Sequence, residues 1–171
     1  MGEGMNDDYI PPGRPFNTPF EAGIRALFIL QAISPTNADL QRLVFYDYLL
    51  VHSGDPGGGP PSVHAAVPHR SGEWMVKREL IAAGLDLMFA RELIEKRFGV
   101  DGIFYGASEL TSPFLAYLHS EYADTVRTSA IWLAARFGAF SDADLASYMV
   151  ANLGHWGAEF YLRIQSTEGA R

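Results

Sequence analysis

Between Leu40 and Val51 the chain reads Leu-Gln-Arg-Leu-Val-Phe-Tyr-Asp-Tyr-Leu-Leu-Val. At helical spacing, Leu40, Leu43, Val44, Phe45, Tyr48, Leu49, Leu50 and Val51 cover nearly the whole circumference. A helix apolar on all sides belongs inside a fold, not on its surface. The spacing predicts such a helix from Asp39 to His52. Asp47 is the only charge from Leu43 to Val51. A carboxylate in that setting is desolvated, and unpaired it is costly. It is therefore expected to be a structural buried acid, accepting bonds from loop amides or from an arginine. A catalytic role is disfavoured, because no partner acid or base has helical spacing to it.

The helix before it starts at Thr18-Pro19-Phe20-Glu21, a capping threonine with proline at the first helical position and glutamate three residues after the cap. Phe20, Ile24, Leu27 and Phe28 form its apolar stripe. Glu21 and Arg25 are expected to pair on the opposite side, and Ser34-Pro35 ends the helix. A third helix is predicted from Glu73 to about Arg91, with Trp74, Ile81, Leu85 and Met88 near one face and a possible break at Gly84. Leu93 to Phe98 and Ile103 to Ala107 read as two short strands around the turn Gly99-Val100-Asp101-Gly102. Thr111-Ser112-Pro113 opens a fourth helix. Tyr122, Val126, Ala130, Leu133 and Phe137 mark a fifth, and Ser141-Asp142-Ala143-Asp144 caps a sixth. His155 to Ile164 suits either helix or strand.

The expected fold is mostly α with a small β-hairpin. Three helices followed by two strands is the layout of a winged-helix domain, spanning 18–107, with a C-terminal helical extension over 108–165. Residues 1–17 and 166–171 are expected to be tails. The segment 53–72, dense in glycine and proline, interrupts the core as a long loop. Loops of that length inside a small domain are more often functional or disordered than idle.

Several function classes drop out. The 171 residues carry 20 acidic and 13 basic side chains, net charge −7, which opposes a general polyanion binder. There are no cysteines, hence no disulfide, thiolate zinc site or cysteine nucleophile. The acidic start is not laid out as a signal peptide, and no apolar run approaches the ~20 residues that span a bilayer. A cytoplasmic protein without membrane contact is the expectation.

Local exceptions need weighing. From His69 to Phe98 the basic residues Arg70, Lys77, Arg78, Arg91, Lys96 and Arg97 face the acids Glu73, Glu79, Asp86, Glu92 and Glu95, for +1 locally against −8 elsewhere. Lys77, Arg78, Lys96 and Arg97 are thus the candidates for a weak DNA contact, although interspersed signs usually mark a solvated face. His52, Asp55, His64 and His69 are metal-competent groups, but their spacing matches no ligand pattern, so no metal is assigned. Gly54 to Pro61 lacks the Lys-Ser/Thr of a phosphate loop, and neither Ser62 nor Ser71 sits in a nucleophile elbow. No cofactor is implied.

Larger blocks resemble a known family. Asn17-Thr18-Pro19-Phe20-Glu21, Arg42 through Asp55, Gly58-Gly59-Pro60-Pro61-Ser62 and Pro68-His69-Arg70-Ser71-Gly72-Glu73 are similar to the middle-component proteins of bacterial ABC-three-component systems. The middle subunits of Lamassu-type anti-phage defence belong to that group. Weaker echoes are Gly102-Ile103-Phe104-Tyr105, Thr111-Ser112-Pro113-Phe114 and Trp156-Gly157-Ala158-Glu159-Phe160. The resemblance implies a non-catalytic accessory subunit that couples an ABC ATPase of the SMC or Rad50 type to an effector, often a nuclease, with DNA engaged mainly through the complex. It transfers no catalytic residue. The loop residues His52, Asp55, Ser62, His64, His69 and Arg70 are the candidates for partner docking. Two alternatives remain open: a DNA-binding winged-helix regulator, and a metal-dependent hydrolase.

Overall fold

The computed structural model describes residues 18–54, 56–63 and 73–153. Their elements run α1 (Pro19–Ile33), β1 (Ala38–Asp39), α2 (Leu40–Val51), α3 (Glu73–Phe89), β2 (Ile94–Gly99), β3 (Gly102–Ala107), α4 (Thr111–Ala116), α5 (Glu121–Phe137) and α6 (Asp142–Leu153). The chain is mostly helical with a small antiparallel sheet, as its sequence implies. Asp55, His64, His69, Arg70 and the segment His155 to Ile164 lie outside the described residues. None of the described helices is long and apolar enough to cross a membrane.

Local chemistry places the helix starts. Thr18 Oγ1 accepts from the Glu21 N–H at 3.3 Å, while the Glu21 carboxylate accepts from the Thr18 N–H at 3.2 Å. Each satisfies a donor the first turn would leave open. Asp39 caps α2 by accepting from the Arg42 N–H at 2.7 Å, and Ser120 caps α5 by accepting from the Ala123 N–H at 3.1 Å.

The sheet has three strands in the order β1-β3-β2, both pairings antiparallel. Gly99 faces Gly102 across the two-residue turn Val100-Asp101. The third strand is a finding beyond the expected hairpin. Ala38 and Asp39 pair with Tyr105 and Phe104, two residues too few to show any period in sequence. Asp39 also caps the following helix, so a strand end and a helix start share one residue. Along the hairpin, Ile94 and Tyr105 are buried, whereas Phe98, Val100 and Ile103, at and beside the turn, are exposed.

α1 lies at the centre of one continuous apolar core and is not amphipathic. Ala22 through Leu30 are buried, packed between α2, α3, α4, α5 and β3. This overturns the expected outer-face pair of Glu21 with Arg25: Arg25 is inside, and Glu21 closes the N-terminal cap. Nor is α3 broken at Gly84. That glycine is where α1 and α3 cross. A Cβ on Gly84 would stand 2.6 Å from both the Gly23 nitrogen and the Pro19 carbonyl oxygen, so only hydrogen fits.

Candidate functional site

Arg25 and Asp47 are the single charges of their respective apolar stretches, Ala22–Ile33 and Leu43–Val51. The packing of α1 against α2 brings them together. Arg25 Nε donates to Asp47 Oδ1 at 2.6 Å and Nη2 donates to Oδ2 at 3.3 Å, with Arg25 only 1% exposed and Asp47 2%. The fork-to-carboxylate geometry satisfies both oxygens, which desolvated charges require. Lys77 Nζ, reaching in from α3, lies 3.2 Å from Asp47 Oδ2 and 5.5 Å from the Tyr48 ring centre. From α5, the Tyr122 hydroxyl accepts from Arg25 Nη1 at 3.4 Å. One carboxylate therefore sits where α1, α2 and α3 converge, with α5 joined through Arg25.

The electrostatics follow from this packing. Burial alone would raise the Asp47 pKa, but the charges of Arg25 and Lys77 and their hydrogen bonds outweigh it and hold the carboxyl well below the usual range. Burial would likewise lower the Arg25 pKa, and Asp47 more than reverses that. Burial pushes the Tyr122 hydroxyl up, against an opposing pull from Arg25. The cluster remains ionised on the carboxylate side across the physiological range.

A second arginine secures the C-terminal helices. Arg42 donates to the Tyr46 hydroxyl at 2.9 Å, to Asp142 at 2.6 Å, and to the carbonyls of Phe137 and Phe140. It thus bonds the last carbonyl of α5, a carbonyl in the turn that follows and a carboxylate in the first turn of α6, tying both helices to α2.

At the other end of α2, His52 is buried with its ring 4.6 Å from that of Tyr48, and the loop begins. Ser53 is fully buried. Its hydroxyl donates to the Pro60 carbonyl at 2.9 Å, and the exposed Ser62 accepts from the Gly54 N–H at 3.0 Å. The first part of the loop is therefore closed on itself. Of the docking candidates, His52 and Ser62 stand at its two ends.

Of the four basic candidates, Arg78 and Arg97 are exposed, whereas Lys77 is drawn into the core. Lys77 is turned inward to Asp47. Arg78 donates to the Gln41 side chain at 2.8 Å, Lys96 to Asp86 at 3.0 Å, and Arg97 Nη2 lies 3.6 Å from Glu95. Among the described residues, no group of three or more histidine, aspartate or glutamate side chains could hold a metal ion. Arg25, Tyr122 and Arg42 escaped sequence reasoning. For Arg25 a signal existed: two apolar stretches, Ala22–Ile33 and Leu43–Val51, with one lone charge each, of opposite sign.

What these features define is a small helical domain with a three-stranded sheet, organised around a buried ion pair. The family model for the ABC-three component (ABC-3C) system Middle Component 2 matches residues 15–159, and the chain belongs to that family. It therefore works alongside the other components of such a system. No curated protein and no solved structure matches it.

Proposed function

We propose that the chain is the non-catalytic middle subunit that couples an SMC- or Rad50-like ABC ATPase to an effector, often a nuclease, in cytoplasmic defence against phage or plasmids. The family match over 15–159 carries this proposal. The fold supports it. The order helix, strand, helix, helix, strand, strand, with the sheet arranged β1-β3-β2, agrees with a winged helix, here extended by α4 to α6. Such domains serve as protein-docking modules as well as DNA binders. Net charge −7 and the pairing of Lys77 with Asp47 and of Lys96 with Asp86 favour docking on protein. The docking element is the loop that follows α2, with His52, Asp55, Ser62, His64, His69 and Arg70 as the residues at issue.

The test is co-expression with an ABC ATPase and an effector of the same three-component system. A stable three-part complex is expected, with DNA-dependent ATP hydrolysis retained and effector activation lost when this chain is omitted. Tight DNA binding by the chain alone, with a steep salt dependence removed by changing Arg78, Lys96 and Arg97, would put the DNA-regulator alternative first.

A further inference from the structure

The outer part of the loop is held by α5. Arg136 donates to the Pro56 carbonyl at 3.2 Å and to the carbonyl of Gly57. One turn earlier Trp132 lies against Gly59, where a Cβ would come within 2.7 Å of the indole and would also strike the Ser53 carbonyl. The Arg136 guanidinium stacks 5.8 Å from the Trp132 ring centre and 5.2 Å from that of Phe137. A segment rich in glycine loses more conformational entropy on ordering than any other. Its carbonyls join no helix or sheet, so two charge-assisted bonds supply what secondary structure does not. A planar guanidinium spans two successive carbonyls, which a lysine ammonium cannot do as a fork.

We propose that Arg136 and Trp132 form a clasp that presets the stretch Pro56 to Gly59 of the loop in one conformation for docking on another component of the system. The inference rests on the docking role assigned to the loop above. Arg136 acts as a positioning residue. A loop already ordered spares the complex the ordering cost on association, whereas a released loop binds only through its competent fraction. Because the clasp is at the surface, it opens locally without the core.

Hydrogen exchange on the full-length chain tests it. In Arg136→Ala, exchange at the Gly54 and Gly57 amides, both hydrogen-bonded within the loop, is expected to speed up on the order of tenfold. Amides of α1 and α2 should be unchanged, and Arg136→Lys should restore part of the protection. Unchanged protection at Gly54 and Gly57 would overturn the clasp. So would a uniform rise that includes the core, since Arg136 would then be supporting global stability. Co-purification with the co-expressed ATPase and effector separates the two levels. A loosened loop with severalfold lower recovery supports the whole proposal. A loosened loop with full recovery leaves the clasp standing and removes the docking role of the loop. Lower recovery with loop protection intact would make Arg136 a direct contact and reject the clasp.

Discussion

Arg25 and Arg136 each bring a guanidinium to oxygen atoms from a distant part of the chain, one within the core and the other on the open side of α5. Arg25 meets a carboxylate with both oxygens bonded and water excluded. Arg136 meets two backbone carbonyls in contact with solvent. Arg42 lies between them, its side chain 11% exposed while that of its partner Asp142 is 74% exposed. Donor chemistry is the same throughout; what differs is how much water can replace the lost partner. A buried charge stripped of its partner has no substitute, whereas an exposed one is rehydrated. The first contact therefore governs whether the protein folds, and the last governs only the shape of a loop.

The largest effect should come from removing one partner of the buried pair. Asp47→Ala or Arg25→Ala is expected to cost about 3–5 kcal/mol in urea unfolding, because a desolvated charge is left behind. Arg25→Met combined with Asp47→Leu should recover much of that loss, since Lys77, with 20% of its side chain exposed, can turn outward. A double variant no better than the singles would break the comparison. The same pair sets the acid limb. The folded Asp47 carboxyl titrates well below an unfolded one, which titrates near pH ~4. Its stabilisation is thus fully present above about pH 4 and is lost as the pH falls from there through the folded value. Asp47→Asn should be less stable at neutral pH and show a shallower loss of stability in acid.

Next in size is Gly84→Ala, which crowds the same α1–α3 packing without touching a charge. It should cost about 1–3 kcal/mol with an unchanged pH dependence, separating tight packing from ion pairing. Arg42→Ala should follow at about 1–2 kcal/mol, its pair with Asp142 discounted for exposure, and exchange should rise first in α6. Smallest is Arg136→Ala, expected within about 0.5 kcal/mol of the parent in melting experiments despite its effect on the loop.

Much of the helical plan could be read from residue order because its signals are local. The Thr18-Pro19-Phe20-Glu21 cap, the all-round apolar α2 and the turn Gly99-Val100-Asp101-Gly102 each complete their pattern within a few neighbouring residues. The site was less legible. Asp47 stood out as a charge in an apolar run, but its pairing with Arg25 crosses 22 positions of sequence. Arg136 reaches the loop across 79. A solvent-exposed arginine near the end of α5 carries no mark of that task.

Periodicity and capping chemistry therefore determined which segments are helices, where the hairpin turns, and that Asp47 has to be answered by an opposite charge or by donors. Tertiary packing decided the rest: that Arg25 turns inward rather than toward Glu21, that Gly84 is a crossing point rather than a break, and that two residues after α1 become a third strand. Local signals depend on neighbours within a turn or two, and the chain supplies those in order. Partners brought together by packing depend on which faces meet, and burial then sets the energy of each contact.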